Sequence, residues 1–109
     1  LLLNLCVNAK DSMPAGGNIR IRLSPIQISN DPDYSGRFVL LEVADSGGGM
    51  DEETKKRIFD PFFTTKTKGT GLGLAIVAKI IDMHHGRIEV RSEVAAGATF
   101  LVSLPLSEA

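Results

Sequence analysis

The sequence predicts an α+β domain in which one mixed β-sheet is covered on one face by helices. The main observation is the order of hydrophobic patterns along the chain: helix, strand, strand, helix, loop, helix, strand, strand. The second is the length, because 109 residues can bury roughly two-thirds of their unfolded surface in one core but leave no room for a second. The third is an ordinary composition, with 43% hydrophobic and 23% charged residues. We therefore expect a single domain over residues 1–109.

The composition also excludes some functions. The 12 basic and 13 acidic residues leave no global field for a polyanion, so no nucleic-acid partner is expected. The apolar runs are far shorter than the ~18 residues of a membrane span, and no direct membrane contact by this stretch is expected. Cys6, the only cysteine, indicates a reducing compartment such as the cytoplasm. Because Leu1 already lies in a helical pattern, we interpret the chain as part of a larger protein, truncated at its N-terminal side.

The first helix is predicted over residues 1–13, a stretch without glycine or proline. Asn4, Asn8 and Asp11 fall at i, i+4 and i+7, so they share one helix face. Polar side chains among so many apolar neighbours are expected to line a pocket, because buried amides need partners. Helix packing with satisfied amides is the alternative.

Two strand patterns follow the first helix. Ile19, Ile21 and Leu23 alternate with arginines, which predicts a half-buried strand, and residues 25–36 predict a polar connection. Residues 38–43 are nearly all apolar, a pattern typical of a central strand. That strand runs directly into the stretch DSGGGM, and polar and glycine residues at a strand end indicate a site.

The second half of the chain predicts two helices and a hairpin. Asp51 is expected to cap a short helix that reaches about Ile58. Residues 64–70 lack aliphatic side chains, which predicts a mobile loop. A longer helix with apolar residues at helical spacing follows, closed by Gly86 as its C-terminal cap. Two alternating patterns then predict a terminal hairpin that contains Ile88, Val90, Phe100, Val102 and Leu104.

The glycine spacing at residues 69–73 predicts an anion site. Glycines let backbone N–H groups approach a phosphate, and the following helix adds a partial positive charge at its N-terminus. The spacing is neither that of a Walker A loop nor that of GxGxxG after a strand, which disfavours both common nucleotide folds. A plain turn is the alternative.

Asp45 and the two asparagines offer oxygen atoms that suit different parts of a ligand. A carboxylate at a strand end can accept a hydrogen bond from a ligand amino group that lies against glycine backbone. A turn residue that bonds its own backbone is the alternative. Asn4 and Asn8 offer neutral carbonyl oxygens, which suit a hard ion such as Mg²⁺ that water and phosphates already hold in part.

The stretches NLCVNAKDSM, DSGGGM, FDPFF and GTGLGL occur in this order and together resemble the N, G1, F and G2 boxes of the catalytic ATP-binding domain of sensor histidine kinases. The resemblance runs from Leu1 to about Leu106. It implies a Bergerat-type two-layer α/β sandwich that holds ATP between its layers under a flexible lid. Gyrase, chaperone and mismatch-repair ATPases share the wider superfamily, but FDPFFTTK with GLGL resembles the kinase branch.

The resemblance also implies roles for individual residues. Asn8 would coordinate Mg²⁺ that bridges the ATP phosphates, with Asn4 beside it, and Asp45 would accept a hydrogen bond from the adenine amino group. Gly47 and Gly49 would shape the base pocket. The remaining predicted nucleotide-binding residues are Lys10, Asp11, Lys66, Lys68, Gly69, Gly71, Leu72, Gly73 and Leu74.

Two further stretches bear on the resemblance. Phe59, Phe62 and Phe63 resemble the F box, which packs or releases the lid, and plain core packing is the alternative for each. Ala98 stands where the family motif GxGTxF carries a threonine that helps to bind adenine through water. Whether Thr99 replaces that threonine is open from the sequence.

Asn4 stands where hydrolysing relatives carry a glutamate that activates water. Because an amide is not a general base at neutral pH, the resemblance implies phosphotransfer to a histidine rather than efficient hydrolysis. The implied partners are a histidine-containing dimerisation domain of the same, homodimeric parent and a downstream response-regulator receiver domain. His84 and His85 lie at a helix end without a flanking acceptor pattern, so neither is expected to be the acceptor. A non-catalytic nucleotide sensor and an ATP-hydrolysing clamp are the alternatives.

Overall fold

The computed structural model describes residues 2–60 and 73–106. Its elements are α1 (Leu2–Asp11), β1 (Ile19–Ile28), β2 (Gly36–Asp45), α2 (Glu52–Arg57), α3 (Gly73–Met83), β3 (Arg87–Ser92) and β4 (Ala98–Pro105). The strands form one sheet in the order β1-β2-β4-β3. The α+β class and the terminal hairpin are confirmed. Every described strand pair is antiparallel, whereas the sequence analysis predicted a mixed sheet.

The core lies between one face of the sheet and the helices. Val43 of β2 pairs with Phe100 of β4, and both side chains are about 1% exposed. Alternation along the strands places every second residue on this face. The helices contribute fully buried aliphatic side chains to the same cluster: Leu5 from α1, and Val77 and Ile81 from α3. Burial of these side chains is the main contribution that holds the two layers together.

The first strand differs from its prediction in length and burial. It continues through Pro25 to Ile28, because an edge strand, paired on one side only, tolerates a proline. Its apolar side chains were predicted to be half-buried, but Ile19, Ile21 and Leu23 are 39%, 50% and 67% exposed. They share the face of the sheet that carries Val43, and within the described residues the helices leave this part of the face open.

A cation stacked on an aromatic ring closes the end of the sheet away from Asp45. The Arg87 guanidinium lies 3.7 Å from the centre of the Tyr34 ring and donates to Asp31 at 2.8 Å. This interaction holds the pKa of the Asp31 carboxyl below its usual range. The Tyr34 hydroxyl lies 2.8 Å from Ser103 Oγ, and its ring stacks on Phe38. These contacts fix the β1–β2 connection across the sheet.

No helix among the described residues, which leave out 61–72 and both chain ends, is long and apolar enough to cross a bilayer.

The C-terminal end of α3 corrects the predicted cap. The Gly86 N–H donates to Ile81 O at 2.9 Å and the His85 N–H donates to Asp82 O at 3.0 Å, which is the Schellman pattern. The residue with positive φ is His85, at 61°, rather than Gly86. Gly86 is required for space instead, because a methyl group there would lie 2.5 Å from Ser103 O.

We expect His85→Gly to raise the free energy of unfolding by roughly 0.5–1 kcal/mol, since it removes the left-handed strain of a residue with a Cβ atom. Gly86→Ala should lower that free energy, because the added methyl group overlaps with β4. Thermal unfolding followed by circular dichroism measures both. A His85→Gly variant that is no more stable than the parent chain would contradict the first expectation.

Candidate functional site

The predicted polar face of α1 borders the core rather than entering it. Leu5 and Ala9 point into the core at 0% and 2% exposure. Asn8, next to them on the helix, is half-buried, while Asn4 and Asp11 are exposed. The face is therefore open to a ligand on one side and supported by the core on the other.

The end of β2 holds Asp45 with its side chain half-buried. Its Oδ1 accepts a hydrogen bond from the Gly47 N–H at 2.9 Å, so the turn that the sequence left open as an alternative is present. Gly47 is the only donor to this carboxylate within residues 2–60 and 73–106. Oδ1 therefore shapes the loop, and Oδ2 accepts from no donor in the described part of the chain.

The end of α1 lies against the loop after β2. A methyl group on Gly47 would lie 2.6 Å from Ser12 O, so only glycine lets the two segments approach this closely. Ser46 adds two contacts, because its Oγ accepts from the Asn18 N–H at 3.0 Å and donates to Met13 Sδ at 3.4 Å. The residues that follow the predicted polar face of α1 are thus in contact with the loop after β2.

The third cluster is described only at its end. Gly73 is the exposed first residue of α3, and Leu74 is half-buried against the core. The other predicted members, and two of the F-box residues, lie outside the described residues: Lys66, Lys68, Gly69, Gly71, Leu72, Phe62 and Phe63. Lys10 is exposed near the end of α1. Phe59 packs edge-on against Phe100 with ring centres 6.3 Å apart, as the core-packing alternative requires.

The turn between β3 and β4 forms a wall of the glycine loop, which the sequence analysis did not predict. The Ala95 N–H donates to Gly48 O at 2.6 Å, and a methyl group on Gly97 would overlap with the Asp45 carbonyl oxygen. The glycine at position 97, which adopts a φ of +76°, is the local sequence signal for this close approach. The two contacts join residues 47 and 52 positions apart, so no local pattern predicts them.

Ala98 and Thr99, at the start of β4, lie on opposite faces of the sheet. Ala98, 7% exposed, pairs with Asp45 and lies on the helix-covered face of the sheet. Thr99 is the next residue of the same strand and points to the opposite face. Thr99 therefore lies on the face of the sheet away from Ala98 and Asp45.

A shallow depression of about 400 Å³ lies on the other side of this turn. It is lined in part by Lys55, Arg91 and Thr99, and none of the predicted ligand residues borders it.

The described residues offer single oxygen ligands rather than a cluster of metal ligands. No group of three or more His, Cys, Asp or Glu side chains within 2–60 and 73–106 is arranged to hold a metal. Asn8 offers one neutral amide oxygen on the open side of α1, so most ligands of an ion there would come from phosphate and water. The free oxygen of Asp45 suits an amino group of a base.

The site is followed directly by α2, which begins as predicted. Asp51 is its N-cap and accepts from the Thr54 N–H at 2.8 Å, and the helix ends at Arg57 with Ile58 as C-cap. The Thr54 backbone N–H and hydroxyl hold the pKa of the Asp51 carboxyl below its usual value of 3.8.

Comparison with known proteins places the whole chain in one family. The family described as histidine kinase-, DNA gyrase B- and HSP90-like ATPases matches residues 1–108. The signal transduction histidine-protein kinase AtoS of Escherichia coli (strain K12) is 43% identical over 107 residues, which are 98% of this chain and 16% of AtoS. The chain therefore spans about a sixth of the length of that relative.

Solved structures show the same fold. A mycobacterial sensor histidine kinase, MprB, superposes with a TM-score of 0.76 at 30% identity, over 95% of this chain and 66% of that one. Full-length ShkA, solved in complex with AMPPNP, superposes with a TM-score of 0.75 at 33% identity, over 99% of this chain and 21% of that one.

The Asp51 cap gives the stability a pH dependence. A lowered folded pKa means that the charged cap stabilises the fold above the unfolded pKa and that this contribution is lost as the pH falls through the folded pKa. Asp51→Asn keeps a good N-cap without the charge. We therefore expect the parent chain to be more stable than Asp51→Asn above about pH 5, and the difference to shrink below about pH 4. Urea unfolding across this range measures it, and a difference independent of pH would contradict it.

Proposed function

The chain belongs to the family of histidine kinase-, DNA gyrase B- and HSP90-like ATPases, and on that premise we propose that it is the ATP-binding catalytic domain of a sensor histidine kinase. In this proposal residues 1–109 form one domain of a larger protein. It presents ATP to a histidine on a separate dimerisation domain of the same parent, which is a homodimer. The phosphoryl group then passes to the receiver domain of a response regulator.

The observation that carries the proposal is the contact between the end of α1 and the loop after β2. Ser12 packs against Gly47, which in turn donates to Asp45 Oδ1, so the end of the helix that carries Asn4 and Asn8 contacts the loop that holds the half-buried Asp45 carboxylate. An adenine nucleotide spans two such groups, with a base at one end and charged phosphates at the other. The complex of the similar ShkA with AMPPNP supports the same ligand class.

Each end of the nucleotide has a residue suited to it. Asp45 Oδ2 accepts the adenine amino group, and Gly47 and Gly49 let the base lie against backbone. Asn8 would supply an amide oxygen to Mg²⁺, which would neutralise phosphate charge when bound. We also assign Asn4, Lys10 and Asp11 to nucleotide binding, together with Lys66, Lys68, Gly69, Gly71, Leu72, Gly73 and Leu74.

Transfer in this site depends on an outside nucleophile. An amide at Asn4 cannot take a proton from water at neutral pH, so the domain holds and orients ATP without activating water. An imidazole nitrogen of the dimerisation domain attacks the γ-phosphorus in line, and ADP leaves. His84 and His85 are exposed at the far end of α3 and are not the acceptor.

Phosphotransfer is tested with γ-labelled ATP and the parent's dimerisation domain supplied as a separate chain. We expect label on that domain and little steady hydrolysis by this chain alone. Asn8→Ala should lose at least roughly tenfold in transfer and in ATP affinity while adenosine binding stays unchanged, because Mg²⁺ contacts only the phosphates.

The control is a double variant, His84→Gln with His85→Gln, which should transfer as the parent chain does. Rapid hydrolysis without a partner would favour the clamp of the gyrase type. Binding of ATP without any transfer would favour the nucleotide sensor. Equal losses of adenosine and ATP in Asn8→Ala would contradict its assigned role.

Two substitutions at Asp45 separate binding from turn formation. Asn at this position keeps an oxygen that accepts from the Gly47 N–H. Its side-chain amide NH₂ then faces the adenine amino group, and two hydrogen-bond donors cannot bond to each other. Asp45→Asn and Asp45→Ala should each weaken ATP binding by about 1.5–3 kcal/mol, or about 10- to 150-fold. Calorimetry measures both affinities. If Asp45→Asn binds ATP as tightly as the parent chain, Asp45 forms the turn but does not recognise adenine.

A further inference from the structure

Ser92 is a buried hydroxyl that joins two loops which are distant in the sequence. It is 9% exposed and lies at the end of β3. Its Oγ accepts from the Met50 N–H at 2.8 Å and donates its proton to Gly97 O at 2.7 Å. Both bonds go to backbone groups, one in the loop after β2 and one in the β3–β4 turn.

The two loops that Ser92 joins are packed without space for side chains at their contacts. A methyl group on Gly49 would overlap with Glu93 O, and one on Gly97 would overlap with Asp45 O. Ala95, at a φ of 66°, donates its N–H to Gly48 O. Close backbone contacts therefore join the segment 45–50 to the segment 92–97.

The register of the sheet sets Ser92 in one row with the candidate adenine acceptor. Asp45 on β2 pairs with Ala98 on β4, and Ala98 pairs with Ser92 on β3. Because neighbouring strands alternate in step, these side chains point to the same face of the sheet. Two strand spacings of about 4.8 Å separate the ends of the row, so Ser92 acts on Asp45 through backbone and not by contact.

We propose that Ser92 is a positioning residue for adenine recognition: its hydroxyl holds the loop 45–50 against the β3–β4 turn, so that Asp45 and the glycine backbone are fixed before the nucleotide arrives. This inference rests on the proposed function for the role of Asp45. It assigns no contact between Ser92 and the nucleotide. Loss of the hydroxyl frees Met50 N–H and Gly97 O, and ligand binding must then order the loop.

The test compares Ser92→Ala with Ser103→Ala. Ser103 is a matched control, because its half-buried hydroxyl also bonds across the sheet, to Tyr34, but at the end away from Asp45. Binding is measured by calorimetry at a temperature where circular dichroism shows both variants folded. Ser92→Ala should weaken adenosine and ATP by the same factor, roughly 5- to 30-fold, since the loop holds the base and not the phosphates. Ser103→Ala should bind both as the parent chain does.

Two outcomes overturn the inference. One is adenosine binding by Ser92→Ala at the affinity of the parent chain, and the other is an equal loss in Ser103→Ala. If Ser92→Ala does not fold, Ser92→Thr is used instead, because threonine keeps the hydroxyl. A folded Ser92→Thr variant that binds adenosine with nearly the parent affinity supports the positioning role. A folded Ser92→Thr variant that shows the full loss of affinity contradicts it.

Amide hydrogen exchange separates this inference from the proposed function. The Met50 and Ala95 amides should be protected in the parent chain and in Ser103→Ala, and should exchange faster in Ser92→Ala. If the parent chain binds neither adenosine nor ATP, the proposed function fails. Protection of the Met50 amide that depends on Ser92 would still support the Ser92 hydroxyl as the group that holds the loop. Protection that does not change in Ser92→Ala overturns that role even where ATP binds.

Discussion

The antiparallel pairing of β2 with β4 is the constraint on which the rest of the structure depends. It places Val43 beside Phe100 under the helices, and the same register places Asp45 beside Ala98 where the strands end. Packing in the core and geometry at the site are therefore set by one ladder of hydrogen bonds. A slip of one residue would turn the core side chains outward and move the Asp45 carboxylate to the wrong face.

In the proposed function, a preformed loop holds the base, whereas the phosphates depend on other segments. Around Asp45 the backbone is fixed by close glycine contacts and by one buried hydroxyl, which leaves little entropy to lose when a planar ring binds. On α1, Asn8 is half-buried beside the core and Asn4 is exposed. Such a division suits a domain that must keep its nucleotide while the reacting phosphate is offered to a partner chain.

Local patterns predicted those parts of the molecule whose causes are local. The Asp51 cap, the short α2 and the terminal hairpin follow from side chains within a few residues of each other, and the structure confirms them. The approach of α1 to the loop after β2 was expected only because a family resemblance joined the motifs. The length of β1 beyond Pro25 was not predicted, since tolerance of a proline depends on whether a second strand pairs there. Ser92 was missed because both of its bonds reach backbone groups that no motif marks.

The stacked Arg87 and Tyr34 close the sheet at the end away from Asp45, and this separation has an evolutionary consequence. Substitutions around the ring would alter how firmly the strands are held together, whereas those near the glycines would alter the proposed nucleotide site. The stability of the sheet and the specificity of the proposed site can therefore change independently of each other. A scaffold divided in this way can be adapted to many signalling proteins while its ligand stays the same.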